Sequence, residues 1–248
     1  MKAANILKWK KFCSIIPYAD SGVATTVDPR WDSNPTYYGN GNFKLDLSPA
    51  GTRSSEGNFG GIGFAAWIHA DNYKFIRLNA NEGTVIVAGN SLNDTDGFSL
   101  RGVADNSGGL SDGTLVSSAY TDGSGNSYDG VVIGNLVWLR TNIKATNYQS
   151  GGAITNITGQ TDWENAVSGG YCWYDNLIVH KDTYGALYNS FALDGLIVNS
   201  GGYRQATLAD WDALTDYLID TNWCTVDILF TNVSNYMKLN RQVNHPLG

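Results

Sequence analysis

The stretch SYDGVVIGNLVWLRTNI, Ser127 to Ile143, decides how the rest of the chain is read. Two apolar runs flank the dipeptide Gly134-Asn135. A Gly-Asn turn between β-branched and aromatic residues predicts an antiparallel hairpin. Toward the N-terminus, FKLDLS, GFAAWIH, YKFIRLN, GTVIVAG and GFSLRGV share that character, each bounded by Gly, Asn or Asp. They predict further short strands, with YKFIRLNANEGTVIVAG as a second hairpin turning at Asn-Glu-Gly. Toward the C-terminus three helices are predicted. TDWENAV (Thr161 to Val167) is short, and TYGALYNSFAL (Thr183 to Leu193) sets Tyr184, Leu187, Tyr188 and Phe191 at helical spacing. TLADWDALTDYLI opens on Thr207 and Asp210, a capping box, and carries Trp211, Leu214 and Leu218 as an apolar stripe. Residues 1–42 show no regular period.

Composition sets the bounds. With 248 residues the chain suits one large or two small domains. Charged residues are 16% and aromatic residues 12%, the reverse of a disordered chain, which is highly charged and poor in aromatics. A formal net charge of -7 argues against nucleic acid as a partner. Cys13, Cys172 and Cys224 form no disulfide framework and show no CxxC spacing, which suits assembly in a reducing compartment. Lys8, Lys10 and Lys11 interrupt the first apolar stretch, so no secretory signal is expected. No apolar run approaches the roughly 20 residues of a membrane span, so membrane insertion is not expected.

At GNLVWLRTNIKATNY, GGYCWYDN, TYGALYNSFAL and RQATLADWDALTDYLI the chain resembles the Fibrobacter succinogenes major paralogous domain. That family is common in Bacteroidetes and their phages and is related to the C-type-lectin-like and formylglycine-generating-enzyme-like folds. DPRWDSNPTYYGNGNF, LSPAGTRSSEGNFGGIGFAAW and GFSLRGVAD resemble the closing half of the same domain, yet here they come first. The resemblance therefore implies an α+β, C-type-lectin-like fold with short antiparallel strands, two to three helices and long loops, circularly permuted. Residues 1–105 would be the back half, 106–125 a Gly/Ser/Asp-rich linker and 126–248 the front half. Closure within one chain and completion by a neighbouring chain both remain open. KLNRQVNHPLG and LKWKKFCSIIPYADSG read as two versions of one junction, which makes the ends candidate contact arms between copies.

Trp67, Trp138, Trp173, Tyr184, Tyr188, Trp211 and Leu214 are expected in the core, because large aromatics in strands and helices dominate core burial. Asn72, Tyr73, Asn79, Asn81, Asn90 and Asn93 are the candidate ligand face. They lie where lectin-like relatives carry theirs, and Asn and Tyr give adaptable hydrogen bonds and rigid contact area. TDGSGNSYD and NDTDG offer Asp122, Ser124, Asn126, Asp129, Asn93, Asp94 and Asp96, but neither has the Gly and Glu positions of an EF-hand loop. His69, His180 and His245 are isolated, and no nucleophile elbow is present. The cysteine pair of formylglycine-generating enzymes does not carry over to Cys13, Cys172 or Cys224. Neither metal nor cofactor nor enzymatic activity is expected. The expected function is structural: a phage virion protein that decorates the capsid or belongs to a head fibre or tail, assembled in the host cytoplasm beside other virion proteins and copies of itself. The alternative is a free extracellular or cell-surface adhesin for a host-surface glycan or protein.

Overall fold

The computed structural model describes residues 10–11, 30, 45–70, 74–80, 84–89, 92–197, 200–220, 229–232 and 235–238. The N-terminal strands are β1 Lys10–Lys11, β2 Ala50–Arg53, β3 Phe59–Ile62, β4 Ala65–His69, β5 Lys74–Asn79, β6 Thr84–Gly89 and β7 Gly102–Asp105. Then come β8 Leu115–Thr121, β9 Ser127–Ile133, β10 Leu136–Leu139, β11 Thr155–Asn156, α1 Gln160–Glu164, β12 Gly170–Cys172, α2 Lys181–Tyr184 and β13 Leu187–Tyr188. The last elements are β14 Arg204–Gln205, α3 Leu208–Asp220, β15 Leu229–Asn232 and β16 Asn235–Lys238.

One sheet runs β1-β6-β5-β4-β2-β3, a second β14-β7-β10-β9-β8 and a third β11-β12-β13, with β15 and β16 as a separate hairpin. The second sheet is antiparallel throughout. Gly97 to Ser99 ties the sheets together: Gly97 bridges to Arg53, Ser99 to Ile68, and Phe98 to Tyr188. The chain then enters the second sheet as β7, between β10 and β14.

The hairpins expected around Gly134-Asn135 and between β5 and β6 are present, with registers Val137↔Val132 and Ile76↔Val87. The residues of the second turn, 81–83, lie outside those described. Helix α3 starts as its capping box requires. The Asp210 carboxylate accepts from the Thr207 N–H at 2.7 Å, and the Thr207 hydroxyl accepts from the Asp210 N–H at 3.3 Å. Its apolar side brings Trp211 and Leu214 onto Leu45, Leu47, Ile68, Ile76, Leu78, Val103 and Trp138. Burying several such side chains at about 1.5–3 kcal/mol each holds the helix across both large sheets.

Several expectations are corrected. FKLDLS forms no strand at 45–49, although Leu45 and Leu47 are buried. Its backbone is held instead by Arg140 O, which accepts from the Asp46 N–H, and by the Arg101 guanidinium, which donates to Asp46 O at 2.6 Å. TYGALYNSFAL is not a helix. Gly185 at φ +78 ends α2, and Leu187 and Tyr188 enter the third sheet as β13. The helical spacing of Tyr184, Leu187, Tyr188 and Phe191 is thus incidental. The stretch 106–125 contains β8, paired with β9 from Leu115↔Val131 to Thr121↔Ser127. Gly, Ser and Asp on either side hide the strand within TLVSSAYT. Trp138, Trp173, Tyr188, Trp211 and Leu214 are buried as expected. Trp67 and Tyr184 are half-buried. Trp67 sits on the face of β4 opposite Ala66 and Ile68, where Phe98 and Phe75 cover it in part.

Candidate functional site

Of the expected ligand face, Asn79 is buried at the end of β5. Asn93 is exposed, and its amide donates to the Ser55 hydroxyl at 2.9 Å. Asn72, Tyr73, Asn81 and Asn90 lie outside the described residues. Beside the ends of β5, Trp67 carries the Arg77 guanidinium 5.0 Å above its ring and the Phe75 ring at 4.9 Å, a half-buried aromatic row on the sheet surface.

The candidate loop carboxylates build turns. Asp122 accepts from the backbone N–H of Ser124 and Asn126, from the Asn126 amide and from the Tyr128 hydroxyl. Asp96 accepts from the N–H of Ser55 and of Asn93, and burial raises its carboxyl above the ordinary range. Two residue types often used in catalysis are held unreactive. Burial pushes the Cys172 thiol up to about 12, against which the nearby Arg53 works in the opposite direction. His69 is buried, with Nε2 2.7 Å from Tyr188 O, and burial lowers its pKa to about 4. The ring is therefore neutral near pH 7, with its proton on Nε2, pinning β4 to β13.

A different surface stands out. After β12 the chain passes Trp173 and Tyr174 and reverses at Asp175 and Asn176, with φ of 52° and 58°. Asp and Asn are the non-glycine residues that best tolerate this left-handed region. The reversal turns Leu177, Ile178 and Val179 outward, 51%, 64% and 72% exposed. Three successive apolar side chains at such exposure mark an interaction surface more readily than scattered ones. Their base is fixed. The Asn176 amide donates to Thr158 O at 3.0 Å. Tyr174 packs on Phe59 and His180, and His180 on Tyr184, with ring centroids 5.3, 6.0 and 5.5 Å apart. Lys144 and Asp182 pair at 2.8 Å beside it. The sequence reading missed this turn. Its signal was DNLIVHKD, two αL-tolerant residues before an apolar triplet too short to show any period.

Fold and surface together define an α+β domain, mostly strands in open sheets with few short helices. Residues 131–246 match the model of the Fibrobacter succinogenes major domain. The match spans the apolar turn and helices α1, α2 and α3. No curated protein and no solved structure matches the chain significantly. Among the described residues no helix is long and apolar enough to cross a membrane.

Proposed function

We propose that the chain is a structural component of a phage virion, on the capsid surface or in a head fibre or tail. In this reading it presents a C-type-lectin-like module whose two halves are written in permuted order. The observation that carries it is the rigid turn exposing Leu177, Ile178 and Val179, a surface suited to seating one module against another protein. The occurrence of the family in Bacteroidetes phages, implied by the resemblance, points the same way. The permuted reading is supported by β7, from the first half of the chain, lying between β10 and β14.

Gradient-purified particles test the proposal. The chain should be present at a fixed ratio to the major capsid protein. Its absence from particles, with free protein in the lysate, would refute it.

The half-buried row of Trp67, Phe75 and Arg77 favours a second reading, a free adhesin for a surface glycan or protein, since aromatic faces stack on sugars. Binding of the isolated chain to a glycan array, abolished by Trp67→Ala, would support that reading over the first.

A further inference from the structure

Arg30 and Arg204 pair with Asp46 and Asp210, and Arg53 and Arg101 donate to backbone carbonyls. Arg77 does neither. It stands opposite Trp67 across β4 and β5, half-buried, with its guanidinium carbon 5.0 Å from the ring centroid. Among the described residues no carboxylate or carbonyl takes its donors, and its Nε is shielded from water without an acceptor. Two residues further along the same face of β5, Asn79 is only 5% exposed. Neither its carboxamide nor the indole N–H of Trp67 has a hydrogen-bond partner among the described residues. Polar groups withdrawn from water are normally paired. Three that are not, on one face of one sheet, mark a place where a ligand supplies the partners.

The register brings these groups around a space. Asn79 stands opposite Ala65, which adds no bulk beside it. A Cβ built on Gly61, at φ +78, would meet only the Ala65 Cβ, the Gly51 Cα and the Trp67 indole nitrogen, each at 3.8 Å. Gly61 and Ala65 thus floor a shallow shelf, with the Trp67 N–H and the Asn79 carboxamide at its side and Arg77 at its end. On the side of Arg77 away from Asn79, Phe75 packs 4.9 Å from Trp67. The Trp67 ring under the guanidinium fixes its plane. The in-plane donors of a fork held this way match the two oxygens of a carboxylate.

We propose that this shelf binds a sugar acid, its carboxylate on the Arg77 fork and its ring hydroxyls on the Asn79 carboxamide and the Trp67 N–H. The proposal rests on the reading of this row as a glycan-binding face and names the class of sugar. Residues two apart on a strand lie about 7 Å from each other, a gap that one pyranose ring bridges between its carboxylate and its far hydroxyls. The carboxamide both donates and accepts, as a hydroxyl does. Charge separates a small acid from an acidic polypeptide. The chain carries a formal net charge of -7, which opposes an extended negative partner but bears little on a single carboxylate set directly on the fork.

Saturation-transfer NMR and calorimetric titration of the full chain test it, with methyl glucuronide, N-acetylneuraminate, neutral methyl glucoside and an Asp/Glu-rich peptide as probes. At least one of the two sugar acids should bind more tightly than the glucoside. Arg77→Gln should weaken that binding about 10- to 100-fold, the worth of hydrogen bonds to a charged group, and leave the glucoside signal unchanged. Arg77→Lys, which keeps the charge without the fork, should restore it only in part. The unfolding midpoint of each variant, read alongside, separates loss of the site from loss of the fold. Acidic and neutral sugars bound equally, by the unsubstituted chain and by Arg77→Gln alike, overturn the proposal and leave the glycan reading standing. Binding of the peptide alone, dependent on Arg77, overturns the sugar as occupant. No binding of any probe overturns both the proposal and the glycan reading.

Discussion

Arg53→Met isolates what a single buried cation contributes to joining the two halves of the chain. Arg53 leaves β2 and is 1% exposed. Its Nε donates to Gly57 O at 3.1 Å, one Nη to Ile157 O at 2.6 Å, and the other to Thr158 O and Gly159 O at 3.2 and 3.0 Å. The guanidinium lies 4.8 Å from the Phe59 ring and 4.5 Å from that of Trp163. It therefore organises the segment that opens α1, more than 100 residues away in sequence. Methionine keeps most of the volume and removes every donor. Thr158 O retains the Asn176 amide and Gly159 O the Trp163 N–H. The carbonyls of Gly57 and Ile157 lose the donor that reaches them, at about 1–3 kcal/mol each. A cation–π contribution of about 2 kcal/mol goes as well, while relief from burying the charge offsets several kcal/mol. The net expectation is a loss of about 2–4 kcal/mol. In urea, where slopes are about 1–3 kcal/mol per molar, that moves the midpoint down by roughly 0.7–4 M with the slope unchanged. Arg53→Lys should recover less than half of the loss, because an ammonium has no planar fork to reach four carbonyls. A midpoint for Arg53→Met within about 0.5 kcal/mol of the unsubstituted protein would show that the carbonyl cage is not what holds this corner.

Trp138 is fully buried, with its ring centroid 4.7 Å from that of Trp211. Trp138→Ala should cost about 3–5 kcal/mol, and a double-mutant cycle with Trp211→Ala should return a coupling of about 0.5–1.5 kcal/mol; additive effects would refute the packing of α3 on β10. His69 has its pKa lowered to about 4, by burial. Between that value and the unfolded one of about 6.5 the unfolded state binds more protons, so this contribution is full above pH 6.5 and is lost as pH falls toward 4. It amounts to about 3 kcal/mol. His69→Gln should flatten stability against pH in that window, and an unchanged slope would refute the assignment. Leu177→Ser, Ile178→Ser and Val179→Ser together should leave the unfolding midpoint within about 0.5 kcal/mol, since these side chains are exposed, yet abolish recovery of the chain with particles. Normal recovery would remove the turn from the assembly surface.

The elements legible in the sequence were those whose signal is local. Thr207 and Asp210 announce α3 because a capping box is a contact between neighbours, and β9, β10, β5 and β6 show turn residues between apolar runs. The expectations that failed needed distant partners. Leu187 and Tyr188 form a strand because Phe98 and β12 lie on either side of them, and nothing in TYGALYNSFAL reports those neighbours except Gly185. Leu45 and Leu47 alternate as in a strand, but Arg101 and Arg140 supply side-chain and loop contacts in place of a ladder. The candidate surface was missed for the same reason. Leu177 to Val179 look like core residues until the φ values of Asp175 and Asn176 turn them outward.

The segment Gly97 to Asp105 has consequences for how the chain must fold. Its first residues bridge β2, β4 and β13, and its last form β7 between β10 and β14. The partners from β10 onward are made later in the chain than the segment itself. Until β13 and β14 exist, the backbone groups at Phe98 and Val103 lack their partners on one side, and Ile68, Ile76 and Leu78 await Trp211 and Leu214. Buried backbone groups are almost always paired in a finished fold, so the first half cannot close independently. Contacts this far apart in sequence bear a large loop-closure entropy before they return any stabilisation. Glycine at positions 97 and 102 fits this late docking. A Cβ at Gly97 would lie 2.7 Å from the Trp163 ring, and one at Gly102 2.7 Å from Leu139. Both neighbours come from beyond β9. The absence of a side chain at each position lets the later half close over a strand that is already laid down.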